Sequence, residues 1–237
     1  MPVKVAILSD LHLSRLDGAC AFGHSCERFA ELVDQLLETH DKLLLGGDVF
    51  DLDVGPSFWD HAGELKAARE AWGPLLARLK HPRVRWVFGN HDQYLEREGV
   101  PEVQRLESDG TRLMLMHGHQ FGATGRWLRL LKYTVKWIAA WDQRAGLGAL
   151  GGLLYKLNTF ASNPVPGAQE PQTRRALKAL KSMSDVDILI CGHSHNPLVI
   201  ETGAGIYANS GACSFGRLDW LSVDMKTREV MVCRGQV

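Results

Sequence analysis

Five short clusters in this chain hold the residue types that bind metal ions and move protons: Asp10-Leu11-His12, Gly47-Asp48 with Asp51 three residues on, Gly89-Asn90-His91-Asp92, His117-Gly118-His119, and Gly192-His193-Ser194-His195. Each follows an apolar run and falls where a strand is expected to give out. Amides, imidazoles and carboxylates are costly to bury unpaired, so groups at strand ends need partners. In open α/β sheets the crevice outside the carboxyl ends of the strands is where sites are built, so the clusters are expected to converge. Asp10 and His12, two residues apart, would lie on one side of extended backbone.

The donor set suits first-row cations such as Mn, Fe, Co, Ni or Zn. Seven donors, Asp10, His12, Asp48, Asn90, His117, His193 and His195, exceed what one tetrahedral ion needs. Two ions about 3.5 to 4 Å apart, sharing a carboxylate, would use them all. Asn90 is then a ligand, and His91 is placed to act on whatever the metals hold. Taken singly, an aspartate at a strand end is more often a turn or helix cap. The conjunction carries the expectation. His119 is open between a supporting group, a substrate contact and a surface residue. His24, His40, His61 and His81 read as surface or cap residues, Cys191 as a small core residue, and Asn209-Ser210-Gly211 as a turn closing the site.

The elements that must position these groups alternate in the first half: strand 3–9, helix 26–39, strand 42–46, helix 57–79 and strand 83–88. That rhythm predicts βαβ units and a mainly parallel sheet. Gly73-Pro74 should break the second helix. Two strand-like runs ending at Met114-Leu115-Met116, a helical region over 124–160, a helix over 171–182, a strand over 186–191 and short antiparallel strands to residue 233 complete the pattern.

At 237 residues the chain suits one α/β domain over 1–237. Lys plus Arg and Asp plus Glu balance at 27 each, so no overall charge draws it to nucleic acid or membrane. No nucleic-acid partner is expected. The opening apolar run is too short for a signal peptide, and no apolar run reaches spanning length. Five cysteines without zinc-knuckle spacing suit a reducing compartment, which makes the expected location cytoplasmic.

The series Asp10-x-His12, Gly47-Asp48-x-x-Asp51, Gly89-Asn90-His91-Asp92, His117, Gly192-His193-x-His195 resembles the full signature of the calcineurin-like metallophosphoesterases, in the family's order. The resemblance implies a four-layer α/β/β/α sandwich with a two-metal site at one edge of the packed sheets. It implies one metal on Asp10, His12 and His195, the other on Asn90, His117 and His193, and Asp48 as the bridge, with manganese the first expectation and Fe, Zn, Co or Ni as alternatives. A metal-bound hydroxide would attack phosphorus. His91 would stabilise or protonate the reacting oxygens, Asp51 would orient His91, and Asp92 would brace the loop.

Residues 126–142, RWLRLLKYTVKWIAAWD, place Arg126, Arg129, Lys132 and Lys136 on one arc of a helical wheel, with tryptophans and leucines opposite. With the leucine-rich stretch after it, this predicts a helical hairpin insertion over 124–165. It would either pack on the domain or act as a lid, with Arg126, Arg129, Lys132 and His119 as substrate contacts and peripheral contact with an anionic inner membrane face. A dimer surface is a further use of the same apolar face. The insertion resembles the cap of the UDP-2,3-diacylglucosamine hydrolase subfamily of lipid A synthesis, although that subfamily usually carries arginine where this chain has His91. The expected function is dimetal hydrolysis of a phosphodiester or pyrophosphate, with UDP-2,3-diacylglucosamine as one such lipid-linked nucleotide. A soluble nucleotide phosphodiesterase or phosphatase is the second reading, and a metal-binding scaffold without turnover the third.

Overall fold

The computed structural model describes residues 3–15, 20–53, 59–122 and 167–235. The hairpin expected over 124–165, with Arg126, Arg129 and Lys132, lies outside them.

Two five-stranded sheets form the centre. The first has the order β10-β9-β1-β2-β3, from Glu229–Arg234, Asp219–Asp224, Lys4–Leu8, Lys42–Gly46 and Val84–Val87. The second has the order β4-β5-β6-β8-β7, from Val103–Ser108, Thr111–Met116, Ile188–Cys191, Gly205–Asn209 and Leu198–Thr202. β1 to β3 run parallel, as do β5, β6 and β8, while β9, β10, β4 and β7 add antiparallel edges. The expected mainly parallel sheet is therefore two mixed sheets. The βαβ rhythm of the first half reports only the strands it connects, and the late strand β9 returns to pair with β1.

Side-chain alternation makes the layers. Val5 and Ile7 of β1 and Leu44 of β2 meet Leu113, Leu115, Ile188 and Ile190 between the sheets. Ala6 and Leu8, with Leu43 and Leu45, face the other way into a core with the helices α1 (Cys26–Thr39), α2 (His61–Ala71) and α3 (Gly73–Leu79). On the far side, Met114, Leu189 and Cys191 pack with Ala176 and Leu180 of α4 (Pro171–Leu180). Strands buried on both faces read as continuous apolar runs, which is why these were legible. The result is the expected four layers.

α1 starts at Ser25, whose side chain accepts from Arg28 N–H, and it buries Phe29, Ala30, Val33, Leu36 and Leu37 along one stripe. His40 caps its end and reaches Ser222 Oγ at 2.9 Å. The helix expected over 57–79 is broken into two, as Gly73-Pro74 predicted. Its described part begins at His61 with Asp60 as N-cap, and it breaks at Trp72, ahead of Gly73-Pro74. The Trp72 indole N–H donates to Ser14 O at 2.6 Å, which ties the break to the loop after β1. No helix among the described residues is long and apolar enough to cross a membrane.

Candidate metal centre

The loops after β1, β2 and β3 are cross-linked through backbone. Asp10 N–H donates to Gly47 O, His12 N–H to Asp48 O, Asp51 N–H to Leu13 O and Leu52 N–H to His91 O. At the end of the second sheet Gly192 N–H donates to His117 O, and Cys213 N–H, from the loop after β8, donates across to Ser9 O after β1. These bonds bring all five clusters to one edge.

The backbone there is unusual. Among the described residues, eight non-glycine residues have positive φ, and five of them are Asp10, His12, Asp48, His193 and His195, at 49° to 68°. Asp10 and His12 thus share the site through left-handed backbone, and the extended geometry expected from their spacing is not the cause. Each such residue costs about 1–2 kcal/mol, and such costs concentrate where function demands the geometry. Gly47, at φ 88°, has no room for a side chain, since a Cβ would sit 2.8 Å from both Gly89 N and His117 Nδ1. A Cβ on Gly89 would run into the Asp48 carboxylate.

Two donor groups result. In the first, Asp10 Oδ1 is 3.1 Å from His195 Nε2 and 3.9 Å from His12 Nε2, and the two imidazole nitrogens are 3.4 Å apart. In the second, Asp48 Oδ2 lies 3.1 Å from His117 Nε2, with the His193 ring 5.1 Å from that of His117. Within each of the groups Asp10-His12-His195 and Asp48-His117-His193, donor atoms lie within 4.8 Å of one another, as they do in His12-Asp48-His91. Donors about 2.1 Å from a shared ion, at tetrahedral or octahedral angles, stand roughly 3.0–3.4 Å apart, so the shortest separations suit metal ligands.

Unpartnered atoms fit the same interpretation. Asn90 Oδ1, Asp10 Oδ1 and His117 Nε2 are buried without a hydrogen bond among the described residues. Asp10, Asp48 and Asp51 are each no more than 2% exposed, and buried carboxylates need positive charge beside them, which bound cations or charged histidines supply. Burial would raise the Asp10 carboxyl, but the His195 and His117 imidazoles outweigh it and hold it at about 2. Burial would lower His117, but Asp48 and Asp10 lift it to about 9. His193, with burial and His117 acting in the same direction, falls to about 3.

Several candidate ligands are oriented from behind. His117 Nδ1 donates to Gly46 O at 2.8 Å, which orients the ring with Nε2 toward Asp48. His91 N–H donates to Asp48 Oδ1 at 2.8 Å, leaving Oδ2 for the centre. Asp10 Oδ2 accepts from Ser9 Oγ at 2.5 Å and from His193 N–H at 3.1 Å, and Ser9 Oγ is 2.6 Å from Ser210 Oγ. Gly192 O receives Gln172 Nε2 and Asn209 Nδ2, which pin the loop carrying His193 and His195. The Asn209-Ser210-Gly211 turn therefore closes the site. Ser9 and Gln172 had no signal as site residues, since their role arises only from the contacts the fold makes with Ser210 and Gly192 O.

His91 is partly open to solvent, 21% exposed, as is His195 at 15%. The His91 Nδ1 is 2.9 Å from Asp51 Oδ1. The other Asp51 oxygen is 3.4 Å from His12 Nδ1, and Asp53, unnoticed in the sequence, brings an oxygen to 3.7 Å from His91 Nδ1. Burial opposes the charge on His91, but Asp51 and Asp48 outweigh it and lift its pKa to about 10. Asp51 is correspondingly held well below the carboxylate range, His91 outweighing burial. His119 sits half-buried, its ring 5.6 Å from His117 and 6.4 Å from His193, with Nδ1 unpartnered among the described residues.

Asp92 does brace its loop. It accepts from Val49, Phe50 and Gly89 N–H, at 2.8, 3.2 and 2.6 Å. Asp92→Ala strands three buried donors, and a loss of about 2–4 kcal/mol is expected in denaturant unfolding. A loss under about 0.5 kcal/mol would show that the loop does not depend on it.

A profile described as calcineurin-like phosphoesterase matches residues 3–197. A UDP-2,3-diacylglucosamine hydrolase from Bordetella pertussis is 25% identical over 213 residues, covering 81% of this chain and 76% of its own. A protein of the same name from Ralstonia nicotianae is 26% identical over 227 residues, covering 83% and 80%. Among solved structures, a hypothetical protein from Pyrococcus horikoshii OT3 superposes with a TM-score of 0.55 at 13% identity, covering 99% of this chain and 88% of that one. This last likeness concerns the fold alone.

Proposed function

This chain belongs to the calcineurin-like phosphoesterase family and is a phosphoesterase hydrolase, and on that premise we propose that it uses two divalent cations to cleave a pyrophosphate or phosphodiester in a lipid-linked nucleotide of the UDP-2,3-diacylglucosamine type. The observation that carries this reading is the pair of donor groups described above, with Asn90 Oδ1 buried and unpartnered beside them. In this reading Asp10, His12 and His195 hold one cation, Asn90, His117 and His193 hold the other, and Asp48 bridges them, with manganese the first ion to try. When bound, the cations would supply Lewis acidity to the phosphoryl group and an activated water.

The chain's own residues do the rest. His91, protonated and held at Nδ1 by Asp51, presents its remaining N–H to the phosphoryl or leaving oxygen and is placed to give up that proton as the bond breaks. Asp51 keeps the imidazolium charged and oriented. The protein-bound side of the reaction therefore consists of positioning and charge stabilisation. Selection of the lipid portion is assigned to His119 and to Arg126, Arg129 and Lys132 of the 124–165 insertion, which also supplies any contact with the cytoplasmic membrane face.

His91 itself favours a second reading, hydrolysis of soluble nucleotides, because the lipid-specific subfamily resembled here usually carries arginine at that position. Kinetics with manganese on a UDP-diacylglucosamine substrate, a chromogenic phosphodiester and a chromogenic phosphomonoester separate the two. The expected result is the highest kcat/KM on the lipid-linked pyrophosphate. Cleavage of the small diesters alone would replace the first reading by the second, and a metal-loaded chain that turns over none of them would reject both.

A further inference from the structure

β3 is an outer edge of the first sheet. Leu43 N–H donates to Arg83 O, so the odd-numbered residues of this strand direct their backbone groups toward β2. Phe88, of opposite parity, directs its N–H outward and donates to Pro101 O at 3.1 Å. Trp86 shares that parity. Its N–H and C=O therefore point away from β2, along an edge where no further strand pairs among the described residues.

A groove of about 740 Å³ lies along this edge. Phe50, Leu76 and Leu79, all buried, line it with the half-buried Trp86, whose indole N–H is tethered to Leu79 O at 3.3 Å. Lys80 and Arg85, both exposed, line it too. Neighbouring cations are engaged: Arg69 makes two bonds to Glu98, Arg78 lies 3.6 Å from Asp34, and Arg83 donates to His40 O. Lys80 and Arg85 make no side-chain hydrogen bond or ion pair among the described residues.

The two faces of β3 differ. Val84 and Trp86 belong to the helix-side core, whereas Val87, and with it Arg85, faces the other sheet. A strand laid beside β3 would set alternate side chains against Trp86, Leu76 and Leu79 and the intervening ones toward Arg85. Main-chain bonds would give such a partner affinity, and the alternation would give it specificity. We propose that this edge docks an extended segment of a protein partner, with alternating apolar and acidic residues, as a further strand of the sheet.

The test is titration of the full chain into a short dye-labelled peptide of alternating leucine and glutamate, followed by anisotropy. A peptide of the same composition with leucines and glutamates in separate blocks is the control. Binding of the alternating peptide alone is expected, with slowed deuterium exchange at the Trp86 amide. Arg85→Glu, with thermal melting unchanged, should weaken it by at least about tenfold, and Lys80→Glu serves if the first variant melts early. Equal binding of the block peptide, no binding of either, or indifference to both charge reversals would overturn the proposal. So would a peptide-free dimer that Arg85→Glu dissociates, since the edge would then belong to a second copy.

Discussion

Asp48→Ala is expected to lower kcat/KM by about 10³-fold or more and to abolish the thermal stabilisation that manganese confers on the wild-type chain. Asp48 lies between the donor groups: Oδ2 faces His117 Nε2 at 3.1 Å, and its carboxylate also belongs to the cluster with His12 and His91. The charge stabilisation that bound cations give a phosphoryl group amounts to several kcal/mol, and each 1.4 kcal/mol is a factor of ten. An ion that binds only the folded state stabilises it by about 2.7 kcal/mol at a hundred times its Kd, so loss of that shift reports loss of the ion directly. Asp48→Asn keeps an oxygen to accept His91 N–H while removing the charge, so it separates the two duties of the side chain. If Asp48→Asn retained wild-type kcat/KM and the full manganese shift, Asp48 would not be the bridge.

His91→Ala is expected to lower kcat by about 10²- to 10⁴-fold while leaving the manganese shift in place. The distinction follows from its position. His91 Nδ1 is committed to Asp51, and its ring stands 4.9 Å from that of His12 at the open side of the cluster. If it donates a proton to the leaving oxygen, the loss should be smaller for a nitrophenolate than for an alkoxide or nucleotide leaving group, because the better leaving group needs the proton less. Equal losses across leaving groups would assign His91 to charge stabilisation alone. Asp51→Asn should reduce kcat by a further measurable but lesser amount, about 10- to 100-fold, since it acts through His91.

The strands that carry the clusters were legible because β1, β2 and β6 are buried on both faces and read as unbroken apolar runs ending in polar residues. α1 was legible from its single apolar stripe. The late antiparallel pairs β7–β8 and β9–β10 were legible from the close spacing of their strands, but where they join the sheets was not. Pairing of β9 with β1 joins residues more than two hundred apart, and no local pattern announces it. The candidate donors stood out by residue type, yet the left-handed backbone at Asp10, His12, Asp48, His193 and His195 did not, because positive φ is uncommon for any non-glycine residue and no local pattern marks it. Ser9 and Gln172 were invisible for a similar reason, and Asn209 and Ser210 were read only as part of a closing turn. Each is an ordinary polar residue until the fold sets it against the Asp10 carboxylate or the Gly192 carbonyl.

The central claim is that the two donor groups hold two cations needed for phosphoester hydrolysis. The most direct test is to count manganese bound per chain by elemental analysis after gel filtration, alongside turnover of a phosphodiester as chelator removes and manganese restores the ions. Two ions per chain, with activity lost on chelation and recovered as the second ion returns, is the result predicted. Full turnover by a chain stripped of metal would contradict the account, as would a stoichiometry that never exceeds one in the fully active protein.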